Sequence, residues 1–354
     1  MKRLVSVALL LAVVAAACGS DGEAMPLSDS ASGPDATVST EISSSGESAG
    51  DTPSTLADED QDDAADGADE VTDETVTASF PTTITHKFGA TTIEDEPERV
   101  VSVGYNEHDF LLALDVVPVG LRDWYGDQPN SVWPWAQEAL GGATPEVLPA
   151  GDLNFEQIAA LDPDLIVGVW SGMTEADYEL LAAIAPTVAQ PDTYDDYGTP
   201  WQEQTMILGQ ATGRSEQAAA AVDAVEQQVD AIRAEYPEWE GLSSSVAFVT
   251  ESGPGAYTSQ DTRSRVMVDL GFEIPEINDS GGDNSFFLQL SAEDITPLDV
   301  DVLVWVIGSD EALDGILTQL PTRGSLDAYN EGREVFADFL LTGAFSHGSP
   351  LSLG

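Results

Sequence analysis

Glu156-Gln-Ile158-Ala-Ala-Leu161-Asp162-Pro-Asp164-Leu-Ile-Val167 and, 137 residues further on, Glu293-Asp-Ile295-Thr-Pro-Leu298-Asp299-Val-Asp301-Val-Leu-Val304 are written to one template. Each copy predicts a short helix with a carboxylate in its first turn, an Asp-x-Asp turn, and an apolar run that suits a buried strand. A repeat that long exceeds any solenoid unit and predicts two similar lobes, with Glu156 and Glu293 at matching places. Outward from the first copy, apolar runs at 100–103 (VVSV), 116–121 (VVPVGL) and 165–169 (LIVGV) alternate with the helix-like HDFLLAL and YELLAAIA. Around the second copy the same alternation returns, with SVAFVT at 245–250, SRVMVDLGF, VLVWVI at 302–307 and EVF at 334–336. Such alternation predicts βαβ units, hence an α/β fold of two Rossmann-like lobes with parallel sheets.

Between the halves, Val222, Val225, Val229, Ile232 and Tyr236 fall at steps of three and four, and Pro237 follows. That spacing predicts one long rigid helix joining the lobes, stiffer than a strand hinge. The expected division is a first lobe over 80–213, a connecting helix over 214–237 and a second lobe over 238–354.

At the other end, MKRLVSVALLLAVVAAAC sets two cations before an apolar run that finishes in three alanines and the chain's single cysteine. This reads as a secretory signal over 1–18, too short to span a bilayer. The run resembles a bacterial lipobox, with Ala15 where leucine is usual. The resemblance implies Cys18 as the lipid-bearing first mature residue, and a cell-membrane anchor on the extracytoplasmic face. One cysteine permits no intramolecular disulfide, so the fold rests on its core. Residues 19–79 are mostly Ser, Thr, Gly and Ala with seventeen acids and no Lys or Arg. Such a stretch cannot bury enough apolar surface to offset its ordering entropy and predicts a disordered acidic tether.

The whole chain holds 64 Asp and Glu against 11 Lys and Arg, a formal charge of −53. Nucleic acid is excluded as a partner, because phosphates need a cationic footprint. The acidity also suits a salty habitat, where dissolved ions screen the repulsion. Against an enzyme, there is no Gly-x-Ser-x-Gly elbow, no phosphate loop and no complete Gly-x-Gly-x-x-Gly, since Gly253-Pro-Gly255 breaks off. No carboxylate pair stands out as acid and base, and no cofactor is expected.

The segments RVVSVGYNEHDFLLALDVVPVGL, VWPWAQEALGG, LNFEQIAALDPDLIVGVWSGMTEADYELLAAIAPTVAQP, YGTPWQEQTMILGQATGR, DTRSRVMVDLGF and LDVDVLVW occur in order. Together they resemble the iron-siderophore substrate-binding lipoproteins of actinobacterial ABC transporters. The resemblance implies a monomer that holds a ferric siderophore in a shallow cleft and hands it to a membrane permease. It also implies that Glu156 and Glu293, one per lobe, dock into cationic sockets of the two permease subunits. Each could instead simply complement a helix N-terminus. The family continues past SPLSL with a further helical segment, so the second lobe is expected to be truncated and to expose an apolar face.

A ferric siderophore already fills the iron's coordination sphere, so a cleft for it needs aromatic walls and hydrogen bonds, not metal ligands. Tyr105, Trp124, Tyr125 and Trp170 follow strand ends of the first lobe, and Tyr257 sits in a Gly/Pro-rich loop of the second; strand ends are where open α/β sheets bind. Arg263 and Arg265 could meet ligand oxygens or pair with Asp261 or Asp269. His86, His108 and His347 lack metal-ligand spacing, so no metal site is expected and all three are assigned to the surface or to loops. Haem, cobalamin or ferric citrate are the alternative cargoes.

Overall fold

The computed structural model describes residues 80–281 and 286–354; Cys18 and the tether lie outside them. A two-stranded hairpin, β1 (Thr82–His86) with β2 (Gly89–Ile93), opens the chain. The first sheet runs β5-β4-β3-β6-β7, from β3 (Val100–Ser102), β4 (Gly120–Arg122), β5 (Glu146–Leu148), β6 (Leu165–Gly168) and β7 (Thr187–Ala189). All its pairings are parallel. The second runs β10-β9-β8-β11-β12, from β8 (Ser244–Thr250), β9 (Gly253–Tyr257), β10 (Phe287–Gln289), β11 (Val302–Val306) and β12 (Glu334–Ala337). Counted from its own first strand, each sheet has the order 3-2-1-4-5. The apolar runs of the template, β6 and β11, are the fourth strand in each, fully buried beside the first.

The second sheet departs from the expected all-parallel form, since β9 pairs antiparallel with β8 and β10 antiparallel with β9. Only Glu251 and Ser252 separate β8 from β9, and Gly253 takes φ 109°. Two residues suffice for a hairpin but not for a crossover, so the chain must turn back.

The Asp-x-Asp turns do a structural job that the sequence does not announce. Asp164 accepts the N–H groups of Glu98 and Arg99 at 2.7 and 2.8 Å, just ahead of β3. Asp301 accepts the N–H and hydroxyl of Ser243 at 3.0 and 2.8 Å, just ahead of β8. Each carboxylate thus ties the entry of the fourth strand to the entry of the first. Helix formation differs between the copies. Well beyond α1 (Glu107–Ala113), the first copy forms a helix, α2 (Phe155–Ala160), which carries Glu156 behind the Asn154 cap. In the second, Thr296 and Pro297 replace two alanines, Asp294 binds the Thr296 N–H and hydroxyl, and only one 3-10 turn, Thr296–Leu298, forms.

The connecting helix α3 spans Ser215–Glu235, about 32 Å at 1.5 Å per residue. Ala218, Val222, Val225 and Val229 pack on a core of Val100, Phe110, Leu165 and Leu208 in the first lobe. One turn later, Ile232 and Tyr236 pack on Trp239, Val246 and Met267 of the second. Beyond α4 (Thr262–Asp269) and α5 (Phe339–His347), the last helix α6 (Pro350–Leu353) returns to the first lobe. Leu353 joins the same core as α3, and Leu351 packs with Leu112, Leu121 and Val132. The lobes are therefore joined twice, not by a single rod.

Candidate functional site

A cavity of about 680 Å³ opens at the carboxyl ends of β8 and β11, lined by Phe248, Thr250, Val306 and Gly308 from those ends. Tyr257, Arg263, Phe286 and Phe287 add to it from the second lobe, and Tyr125 from the loop after β4 of the first. Three of the expected ligand residues, Tyr125, Tyr257 and Arg263, thus meet at one place. The Arg263 guanidinium lies 4.2 Å over the Tyr257 ring. Its Nη1 donates to both Asp261 oxygens at 3.1 and 2.9 Å, and its Nε to Ser346 Oγ at 3.1 Å. Asp261 also caps α4 by accepting the Arg263 N–H. Burial pushes the Asp261 carboxyl up, and the Arg263 charge pulls it back. Burial likewise raises the Tyr125 and Tyr257 phenols.

Tyr105, Trp124 and Trp170 gather elsewhere, as a first-lobe aromatic cluster outside the lining of that cavity. Trp124 has ring centroids at 5.9 Å from Tyr105 and 5.2 Å from Trp170. It meets Tyr125 edge-on at 4.7 Å, which connects the cluster to the cavity. Sequence reasoning missed two members. Tyr197 stacks edge-on with Trp170 at 5.0 Å, its carbonyl accepts the Trp170 indole at 2.7 Å, and it reaches Phe286 of the second lobe at 6.4 Å. Burial pushes its phenol up to about 12. The available signal was the turn sequence Asp195-Asp196-Tyr197-Gly198, in which Tyr197 takes φ 65°. Arg122, buried at the end of β4, lies 4.1 Å over the Tyr105 ring and donates to the Val103 and Gly151 carbonyls. Arg265 lies outside the cavity lining. Its Nε donates to Gln260 O and its Nη2 crosses to Gly198 O of the first lobe, both at 2.9 Å, so it pairs with neither Asp261 nor Asp269 by a hydrogen bond.

The histidines correct their assignment: His86, His108 and His347 are all at least 97% buried. His108 follows the buried Glu107, whose carboxylate accepts the Trp170 N–H and is pushed up to about 7 by burial. A Cβ on Gly104 would lie 2.1 Å from the Glu107 carboxyl carbon, so the approach needs glycine. Asp109 accepts from Trp135 Nε1 at 2.6 Å and Ser349 Oγ at 3.0 Å, and the Asn106 amide donates to His347 O at 3.0 Å. Because a carbonyl only accepts, His347 Nδ1 donates to Gly343 O. Burial holds His108 down at about 4 and His347 at about 3, so both are neutral at pH 7. Ligand atoms of His108, Asp109 and His347 lie within 4.8 Å of one another, a grouping that could hold an ion and that spacing concealed, because His347 lies 238 residues beyond Asp109. It is no part of the cavity lining.

Glu156 and Glu293 are both exposed. Glu156 stands in the first turn of α2, where complementing the helix end would account for it. Glu293 stands in a turn with no α-helix to complement, so that account fails there.

Residues 100–339 match the family described as periplasmic binding protein. A periplasmic solute binding protein from Mycobacterium smegmatis is 33% identical, with a TM-score of 0.68 over 77% of this chain and 93% of its own. PiaA of Streptococcus pneumoniae, solved in complex with ferrichrome, is 27% identical with a TM-score of 0.65, covering 76% of this chain and 93% of PiaA. The ferric enterobactin-binding periplasmic protein FepB of Escherichia coli is 26% identical over 279 residues, 73% of this chain and 86% of FepB. With two lobes of like strand order around an aromatic cleft and the family match covering most of both, this chain belongs to the periplasmic binding protein family.

Proposed function

We propose that this chain is the solute-binding component of an ABC importer and captures a ferric siderophore in the cavity between Tyr125 and the Tyr257–Arg263 pair. The carrying observation is the character of that lining. It is aromatic and hydrogen-bonding, while the described group that could ligate a bare ion is buried behind Tyr125 and no part of the lining. A preassembled chelate needs such a surface; a naked cation does not. Trp124 and Tyr105 extend the wall, with Trp170 behind them. Binding without turnover is the whole of the activity. The division into lobes at 80–213 and 238–354 about the helix of 214–237 belongs to this reading, as do a monomeric state and a lipid anchor at Cys18. Among the described residues no helix is long and apolar enough to cross a membrane.

Glu156 and Glu293 present one anion per lobe to a two-fold permease, where two matched charges fix orientation as well as attraction. Tryptophan fluorescence titrated with ferric siderophores, haem, cobalamin and ferric citrate tests the cargo: saturable quenching by a ferric siderophore is expected, and quenching by haem or cobalamin only would replace it. In the same series, Glu156→Ala with Glu293→Ala should retain that affinity while cellular uptake is lost.

A further inference from the structure

The charge around the cavity narrows the chelate. Each of the nine described Lys and Arg is already engaged. Five bind carboxylates away from the cavity, and Arg99, Arg122 and Arg265 bind main-chain carbonyls. Arg263 lines the cavity, but both its neighbouring Asp261 oxygens neutralise it. Two further lining residues, Glu251 and Glu311, are exposed and form no ion pair among the described residues. The pocket is therefore net negative, in a chain that is itself strongly negative.

Ferric siderophores differ in charge by simple arithmetic. Three hydroxamates, each losing one proton, cancel Fe³⁺ and give a neutral complex. Three catecholates, each losing two, leave a trianion, and carboxylate-rich chelates are also anionic. A trianion entering this pocket would give up hydration, meet no uncommitted cation and face two carboxylates, whereas a neutral complex loses nothing of the kind and a pendant ammonium would gain. We infer that the cleft takes ferric complexes of the tris-hydroxamate class, neutral or cationic, and discriminates against tris-catecholates by repulsion from Glu251 and Glu311. This rests on the proposed function and sharpens it. Discrimination by unpaired like charge is a common route to specificity.

The test is tryptophan quenching of the full chain by ferrichrome, a neutral ferric tris-hydroxamate, and by ferric enterobactin, a tris-catecholate, at low and high salt. Ferrichrome should bind more tightly by on the order of 100-fold, with the gap shrinking in salt as the repulsion is screened. Glu251→Gln with Glu311→Gln should strengthen enterobactin binding. Equal or tighter enterobactin binding, or an enterobactin affinity unmoved by the double substitution, overturns the charge argument and leaves the siderophore reading standing. Failure of both probes alongside saturable quenching by haem or cobalamin overturns the siderophore reading itself.

Discussion

Asp301 shows what a single side chain contributes when it belongs to a repeat. Bonds from the Ser243 hydroxyl and N–H hold its carboxyl below the usual value of 3.8. A carboxyl depressed in the folded state contributes stability in full above its unfolded pKa, and that contribution is lost as pH falls through the folded value. The side chain is 46% exposed, so Asp301→Ala should cost only about 1 kcal/mol at pH 7. Urea unfolding at pH 7 and near pH 3 should show that difference narrowing in acid; a constant gap would locate the effect in packing. At this scale the sequence was partly legible. The template marked Asp164 and Asp301 as turn residues, but which backbone donors they hold depends on the neighbouring strand. Arg263 was found, with ligand contact and pairing with Asp261 set as alternatives; it pairs with Asp261 and lines the cavity as well. Removing Arg263 would strand a buried carboxylate, so a loss on Arg263→Ala reports folding as much as ligand. His108 and His347 were misplaced because spacing along the chain is blind to a partner brought from its far end.

Among the elements, α3 has the clearest sequence signature and the largest structural duty. Steps of three and four placed its apolar stripe correctly, and what followed from packing alone was the handover, one turn from its end, between two cores. A break at the exposed Gln227 should separate those attachments. Proline there removes an internal hydrogen bond and clashes with the preceding turn, costing about 3 kcal/mol. Calorimetry of Gln227→Pro should show a lower melting temperature and a transition split or broadened toward two lobes. A sharp transition at the original temperature would mean that α3 does not couple them. The strands were legible in the same way, with β6 and β11 reading as buried runs. The β8–β9 reversal was not read, although the chain between SVAFVT and Gly253 is too short for a crossover. The second template copy failed as a helix because Thr296 and Pro297 disfavour one, a local conflict that the shared pattern masked.

For the whole molecule, charge dominates: 47 acids against nine Lys and Arg lie beyond residue 79, and self-repulsion on that scale opposes compactness. Raising salt from about 0.05 to about 1 M shortens the screening length from over 10 Å to about 3 Å and should raise the urea midpoint. Equal midpoints would remove any case for a saline habitat. The two-lobed plan itself was legible because a repeat survives in sequence wherever strand order survives. The second joint between lobes was not, since it rests on Leu351 and Leu353 finding a core that begins over two hundred residues earlier. Phe80 packs on that same core as Leu353. Both ends of the described fold are thus moored to one lobe, which leaves the other as a loop hung between two points of a single hull. A pull applied at Phe80 would therefore load the first lobe's core directly and reach the second through α3 and the turn between α5 and α6.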